Sequence, residues 1–146
     1  GYAVIGIDRD LSGVADLACA ADVRLIAADL EAGAEFPVPP GSCDGVIVTN
    51  YLWRPLLPAI VAAVAGDGVL IYETFASGNE RYGRPRNPDF LLQPGELLEA
   101  ARPCLVAIAY EHVTLMEPHR VVQRIAAVGR LHPWVDAPPP LEEALA

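Results

Sequence analysis

Three short apolar runs of the sequence each end on a polar side chain: Asp8, Asp29 and Asn50. Nearly continuous apolar runs of this length are typical of buried strands in parallel sheets. Ligands of open α/β sheets bind beyond the carboxyl ends of the strands, where a carboxylate can accept hydrogen bonds from ribose hydroxyls or from the amino group of adenine. Each acid taken alone is equally consistent with a helix cap or a turn.

A second group of polar side chains lies at the end of a fourth apolar run and in the long irregular segment 75–93. The side chains that could face a substrate are Glu73, Asn79, Arg81, Tyr82 and Arg86. Arginines beside Tyr82 could bind a carboxylate or another oxyanion through charge-assisted hydrogen bonds. The alternative is a solvated loop in which the arginines pair with Glu80 and Asp89. Loops of this length inside a compact domain are usually functional or disordered.

Strands that alternate with helical segments would position these residues. The pattern predicts strands over residues 2–8, 23–29, 44–50, 68–74, 105–113 and 120–128, and helical segments over 13–20, 56–65 and 94–101. This order predicts an α/β fold with a parallel sheet, and the last two strands are predicted to close it as an antiparallel hairpin. We expect one domain over residues 1–130, followed by a proline- and acid-rich tail over 131–146.

The sequence contains no lysine, because all 10 cationic residues are arginine. This absence excludes enzymes that depend on a lysine: pyridoxal Schiff-base enzymes, P-loop nucleotide hydrolases and enzymes with a lysine nucleophile. The chemical exclusion holds whatever the cause of the composition.

Net charge and cysteine content limit which partners and which cellular location we expect. The net charge of −9 provides no basic field for nucleic acid, so we expect no nucleic-acid partner. The longest apolar run, residues 59–65, is too short to cross a bilayer, so we expect no membrane partner. The 3 cysteines are far apart and form no C-x-x-C pair, which favours free thiols, no metal site and a cytoplasmic location.

The order of these features resembles a class I S-adenosylmethionine-dependent methyltransferase. The resemblance rests on Val-Ile-Gly-Ile-Asp8, Ile-Ala-Ala-Asp29 and Cys43-Asp-Gly-Val-Ile-Val-Thr-Asn50, followed by an apolar helix and Gly66-Asp-Gly-Val-Leu-Ile-Tyr72. It covers about residues 2–130. It implies a Rossmann-like methyltransferase sheet, mostly parallel with a C-terminal antiparallel hairpin, and the cofactor S-adenosylmethionine. It places the cofactor ribose on Asp8 and the adenine on Asp29, and the implied cofactor-binding residues are Asp8, Arg9, Asp29, Leu30, Asn50 and Tyr51.

The sequence departs from this family at one element. The family's first strand, with its glycine-rich turn, is expected upstream of Gly1, and in the family's sheet it lies between the strands that end at Asp8 and Asn50. Without it, the neighbouring edges of those two strands are expected to be unpaired. We therefore expect either a fragment of a longer protein or a domain that closes by rearranging or by pairing with another chain, for example as a homodimer.

The expected function is methyl transfer from S-adenosylmethionine to a small-molecule acceptor. The segment Tyr72-Glu-Thr-Phe75 and the loop after it favour the tellurite-resistance-like or small-molecule methyltransferases. Methyl transfer is an in-line displacement that positioning and desolvation can accelerate, so no catalytic residue is assigned. Two alternatives are a nicotinamide-dependent reductase and a methyltransferase-like module without activity that binds a partner or oligomerises.

Overall fold

The computed structural model describes residues 1–33 and 35–140. Its strands are β1 (Val4–Asp8), β2 (Val23–Ala27), β3 (Cys43–Thr49), β4 (Val64–Phe75), β5 (Leu105–Met116) and β6 (His119–Gly129), and its helices are α1 (Leu57–Ala62) and α2 (Glu96–Ala101). Short 3₁₀ segments cover Ser12–Cys19, Leu30–Ala32, Arg54–Leu56, Asn79–Arg81, Pro88–Phe90 and Pro133–Val135.

The chain divides into two compact units, residues 1–37 and the part that begins at Val38. In the first unit β1 and β2 pair in parallel, with Asp8 opposite Ala27. The second unit contains a four-stranded sheet in the order β3-β4-β6-β5. In that sheet β3 and β4 are parallel, and β6 is antiparallel to both β4 and β5.

The α/β class and the closing hairpin are confirmed, whereas the single, mostly parallel sheet is not. Among the residues that the structure describes, two strand pairs are parallel and two are antiparallel, so the pairing is mixed. In those same residues β1 pairs only with β2, and β3 pairs only with β4. The sheet expected from the resemblance has a further strand between β1 and β3.

Two predicted helices differ from the structure. The helix expected over 56–65 ends at Ala62, and β4 begins at Val64 rather than at residue 68. A short apolar run does not distinguish a helix from a buried strand, and pairing of Val64 with Cys43 of β3 decides in favour of the strand. The helix expected over 13–20 is a 3₁₀ segment, Ser12–Cys19, that buries no side chain.

A large part of the core of the second unit lies on one face of β4 and β6. Leu70 and Tyr72 of β4 and Ile125 and Ala127 of β6 are all at most 3% exposed. Helix α1 packs on β4 and on α2, and α2 packs on β5 and β6. Burying a large apolar side chain contributes about 1.5–3 kcal/mol, so this face anchors the strands whose ends carry the candidate site.

The predicted division into residues 1–130 and a tail from 131 stays a prediction. Leu131 follows β6, and its backbone N–H donates to the carbonyl of Gly66 at 2.8 Å. The end of the tail, residues 141–146, lies outside the described residues. Among the residues that are described, none of the helices has the length and apolar character needed to cross a membrane.

Candidate functional site

In the first unit, Asp8 stands at the carboxyl end of β1 and is exposed. Its Oδ1 accepts a hydrogen bond from the backbone N–H of Asp10 at 3.0 Å, which closes a turn of the kind that Asp forms with the backbone two residues on. Its Oδ2 has no protein partner in residues 1–33 and 35–140. Hydrogen bonds from Ser12 hold the pKa of Asp10 below its usual value, and Arg9 between the two acids is exposed.

Asp29 stands at the same edge of this unit, two residues beyond the end of β2. Its Oδ1 accepts from the backbone N–H of Glu31 at 3.1 Å and so caps the 3₁₀ segment Leu30–Ala32. A carboxylate accepts about four hydrogen bonds, so capping leaves acceptor capacity for a ligand. The two interpretations of these acids, as turn caps and as ligand-binding groups, are therefore compatible. Leu30 beside Asp29 is half-buried.

In the second unit, Asn50 and Tyr51 follow the end of β3. Asn50 is exposed and has φ 51°, in the left-handed region that a few residue types such as Asn adopt. Its backbone N–H donates to the carbonyl of Glu73 at 3.0 Å. Strained backbone of this kind clusters at binding sites, where the surrounding structure fixes it. The assignment of Asn50 to ligand binding stays a prediction.

Tyr72 of β4 fixes the position of Tyr51. Its hydroxyl donates to the carbonyl of Tyr51 at 2.8 Å, and its side chain is 1% exposed. Burial raises the pKa of Tyr72, so its hydroxyl stays protonated and remains a donor. The backbone after β3 is thus held against the core of the second unit.

We expect Tyr72→Phe to lower the free energy of unfolding by about 0.5–1.5 kcal/mol, because the carbonyl of Tyr51 loses its donor. Urea unfolding measures the difference. Tyr2→Phe is the matched control, since Tyr2 is 82% exposed, and it should change nothing measurable. Equal losses in both variants would contradict the assigned hydrogen bond.

Glu73, a predicted substrate contact, lies in a row of alternating charges across β4, β6 and β5. Its carboxylate is 3.5 Å from the Arg120 guanidinium and 3.6 Å from that of Arg124. Arg124 also pairs with Glu111 of β5, and its hydrogen bond to Glu111 raises the pKa of Arg124. The carboxylate of Glu73 is therefore neutralised within the sheet, and its contact with a substrate stays a prediction.

Asn79, another predicted substrate contact, is 1% exposed and organises the loop after β4. Its Oδ1 accepts from the backbone N–H of Val121 at 3.1 Å, and its Nδ2 donates to the carbonyl of Pro85 at 3.3 Å. Its own carbonyl accepts from the N–H groups of Tyr82 and Gly83. The structure thus gives Asn79 a positioning role, and a direct contact with a substrate stays a prediction.

Arg81, Tyr82 and Arg86 are exposed on this loop. The ring of Tyr82 stacks on His119, with centroids 5.5 Å apart and planes 26° apart. Within residues 1–33 and 35–140, the alternative pairing of the loop's arginines with acids is not observed. Glu80 accepts instead from the backbone N–H of Gly78 at 2.8 Å, and Asp89 contributes its backbone carbonyl to another arginine.

That other arginine is Arg54, which was not among the predicted site residues. Its guanidinium binds both carboxylate oxygens of Glu96, at 2.7 and 3.0 Å, and the carbonyls of Asp89 and Leu91 at 2.7 and 2.9 Å. Glu96 also accepts from the N–H of Gln93 at 2.7 Å. The spacing of Gln93 and Glu96 matches half of a capping box, so their contact could be predicted from the sequence. The contact of Glu96 with Arg54 could not, because the two residues are 42 positions apart.

Within the described residues no three His, Cys, Asp or Glu side chains are grouped as metal ligands. In the described part of the chain, Cys19, Cys43 and Cys104 form no disulfide. The groups at the strand ends that could contact a ligand are the carboxylates of Asp8 and Asp29, the amide of Asn50 and nearby backbone atoms.

Comparison with solved structures identifies the type of fold. A 16S rRNA (adenine(1408)-N(1))-methyltransferase from Catenulisporales acidiphilia matches 88% of this chain and 73% of its own, with TM-score 0.56 and 16% identity. The N-methyltransferase NodS from Bradyrhizobium japonicum WM9 matches 86% and 72%, with TM-score 0.61 and 11% identity. The 1,6-didemethyltoxoflavin-N1-methyltransferase from Burkholderia thailandensis, which holds S-adenosylhomocysteine, matches 88% and 62%, with TM-score 0.64 and 18% identity.

The chain therefore has a Rossmann-like α/β fold of the type found in class I S-adenosylmethionine-dependent methyltransferases. It spans 62% to 73% of the length of these three proteins. The sequence itself matches no protein-family model and no curated protein. At these identities the likeness describes the fold, and function has to be argued from the site.

Proposed function

We propose that this chain binds S-adenosylmethionine and transfers its methyl group to a small-molecule acceptor. The observation that carries the proposal is the pair of acids at one edge of the first unit. Asp8 ends β1 and Asp29 lies just beyond β2, the parallel partner of β1. Each carboxylate uses only one oxygen in its local turn. Several solved proteins of this fold are methyltransferases with different acceptors, which supports methyl transfer in general. The net charge of −9 favours a small acceptor over a polyanion.

The residues of the first unit fit the adenosine part of the cofactor. The free carboxylate oxygens of Asp8 and Asp29 are acceptors, as the hydroxyls of ribose and the amino group of adenine require. The half-buried Leu30 offers an apolar surface to a planar base, and Arg9 lies beside Asp8. Contacts of the cofactor with Asn50 and Tyr51 of the second unit are a separate proposal.

When bound, the cofactor supplies an electrophilic methyl group on a positively charged sulfur. The residues of this chain need only bind, orient and exclude water, because an in-line displacement gains most of its rate from geometry and desolvation. Tyr72 contributes by fixing Tyr51, and the buried Asn79 fixes the loop that carries the predicted acceptor contacts. We also propose that Glu73, Arg81, Tyr82 and Arg86 face the acceptor.

Calorimetric titration of the chain with S-adenosylhomocysteine tests this proposal. We expect one site with a dissociation constant in the micromolar range, about −8 kcal/mol. NADH and NADPH serve as competing ligands and should not bind. Tight binding of either one would replace the proposal by a nicotinamide-dependent reductase. Absence of S-adenosylhomocysteine binding by a chain that unfolds cooperatively would favour a module without activity.

Narrower assignments stay proposals. They are the tellurite-resistance-like or small-molecule subtype, a homodimer and a cytoplasmic location. Sedimentation of the purified chain measures the oligomeric state directly.

A further inference from the structure

We propose that three arginines of the loop after β4 form a binding site for an anionic group of the acceptor, a carboxylate or a phosphate. They are Arg81, Arg84 and Arg86, called here the arginine cluster. The assignment to the acceptor rests on the proposed function, whereas binding of an anion by the cluster does not.

The charge distribution is the first support. Residues 81–87 carry three arginines and no acid in a chain of net charge −9. A concentrated positive patch on an acidic protein raises the local concentration of anionic ligands. Unlike scattered surface charge, this patch is confined to one loop at the carboxyl end of β4, the edge where ligands bind in open α/β sheets.

The second support is that the cluster has no counter-ion in the protein. In the described ranges 1–33 and 35–140, Arg54, Arg102, Arg120 and Arg124 all pair with glutamates. None of the guanidinium groups of the cluster has an ion pair or a hydrogen bond in those ranges. The nearest acid in the sequence, Glu80, accepts a hydrogen bond from the backbone N–H of Gly78 through Oε2 and forms no ion pair in the same described ranges. Three unpaired guanidinium groups therefore remain available for an external anion.

The third support is that the backbone of the cluster is fixed. The buried Asn79 binds the N–H groups of Tyr82 and Gly83 through its carbonyl and the carbonyl of Pro85 through its side chain. It is itself held by Val121 of β6. Arg81 and Arg84 lie next to bonded positions, and Arg86 follows Pro85 directly. A fixed backbone reduces the entropy lost on binding, which distinguishes a site from a mobile loop of arginines.

The ring next to the cluster indicates what else the ligand carries. Tyr82 is 46% exposed and stacks on His119. An exposed aromatic ring beside guanidinium groups suits a ligand with an anionic group on an apolar or planar body. Three arginines neutralise few phosphates, and the acidic remainder of the chain repels a long polyanion. These features favour a small anionic molecule over RNA.

The test uses citrate and inorganic phosphate as probes, with chloride keeping the ionic strength constant. NMR titration follows the Nε–H signals of the arginines and the amides of residues 81–87. We expect saturable shifts confined to the cluster, with a dissociation constant of about millimolar. Shifts that do not saturate, or that are equally large at Arg24 and Arg102, would overturn the proposal.

Matched double variants separate a site from general charge. Arg84→Gln with Arg86→Gln should weaken citrate binding about fivefold or more, because two charge-assisted contacts are lost. Arg24→Gln with Arg102→Gln removes the same charge from exposed positions elsewhere and should change binding less than about twofold. Equal weakening by both pairs would mean that only net charge matters.

Two further titrations of the same variants assign the ligand. A single-stranded RNA oligonucleotide that binds more tightly than citrate, and loses binding in the cluster variant, would replace the small acceptor by RNA. S-adenosylhomocysteine affinity that falls in the cluster variant would assign the arginines to the cofactor instead of the acceptor. Cofactor binding without citrate binding would refute the anion site and leave the proposed function, and the reverse result would refute the function and leave the site.

Discussion

Replacement of Asp8 by alanine is expected to weaken S-adenosylhomocysteine binding tenfold or more, about 1.4 kcal/mol. Asp8 ends β1, and its Oδ2 is the acceptor proposed for the ribose hydroxyls. A hydrogen bond between a charged group and a ligand contributes about 1.5–3 kcal/mol. Calorimetry of the variant beside the unsubstituted chain measures the change.

Asp8→Ala also loses the hydrogen bond from the N–H of Asp10 that closes the turn. Two further substitutions therefore separate the loss of the turn from the loss of the ligand contact. Asp8→Asn keeps an oxygen that can accept from the N–H of Asp10 but removes the charge, and it should lose most of the affinity. Asp16→Ala removes an exposed acid of the 3₁₀ segment Ser12–Cys19 and should leave binding unchanged. If Asp8→Asn binds as tightly as the unsubstituted chain, the ribose contact is refuted.

Patterns of local sequence predicted most of the strands correctly. Apolar runs that end on Asp8 and Asn50 correspond to β1 and β3. The burial expected of these strands is not observed, since Val4, Ile5 and Ile47 are 49%, 45% and 76% exposed. The last two predicted strands, expected to form an antiparallel hairpin, correspond to β5 and β6, which pair in this way. These elements depend on residues that are neighbours in the sequence, so a single sequence is enough to predict them.

Contacts between distant segments were not predictable in the same way. The burial of Asn79 depends on Val121 of β6, and the ion pair of Glu73 depends on Arg120 and Arg124. Both residues were expected to face a substrate because they are polar and follow an apolar strand. Polarity alone does not show whether a side chain binds a ligand or satisfies the backbone of a neighbouring strand.

The arginines also show that residue type alone does not predict which side chains bind within the protein. Arg54 and Arg81 have the same side chain and lie in irregular segments, yet Arg54 is fully engaged by Glu96 and two carbonyls, and Arg81 is exposed. Only the three-dimensional structure separates the arginine that holds the loop from the ones left for a ligand. The candidate acceptor site therefore combines exposed arginines that form no ion pair in the described residues with a loop that Asn79 fixes.

The arginine that holds the loop leads to a prediction for stability. Arg54→Ala should lower the free energy of unfolding by about 2 kcal/mol, because Glu96 and the carbonyls of Asp89 and Leu91 all lose a charged donor. The estimate is moderate because the side chains of Arg54 and Glu96 are 37% and 20% exposed, so water partly replaces the lost bonds. Urea unfolding at neutral pH measures it.

Glu96→Gln should show a characteristic dependence on pH. Burial alone would raise the pKa of Glu96, but hydrogen bonds from Arg54 and from the N–H of Gln93 outweigh it and hold the pKa below the ordinary value of 4.5. A carboxyl whose pKa is lower in the folded chain adds stability above its unfolded pKa and loses it as the pH falls through the folded one. The unsubstituted chain should therefore exceed Glu96→Gln in stability most at neutral pH.

Unfolding of both proteins at pH 7 and below pH 4 checks the sign. Glu99→Gln is the control on the same helix, because Glu99 pairs with Arg102 at 67% and 76% exposure and such a pair contributes about 0–1 kcal/mol. Its effect should be small at both pH values. If the difference between the unsubstituted chain and Glu96→Gln grows as the pH falls, Arg54 does not stabilise the ionised carboxylate. The loop that presents the arginine cluster would then depend on Asn79 for its anchoring.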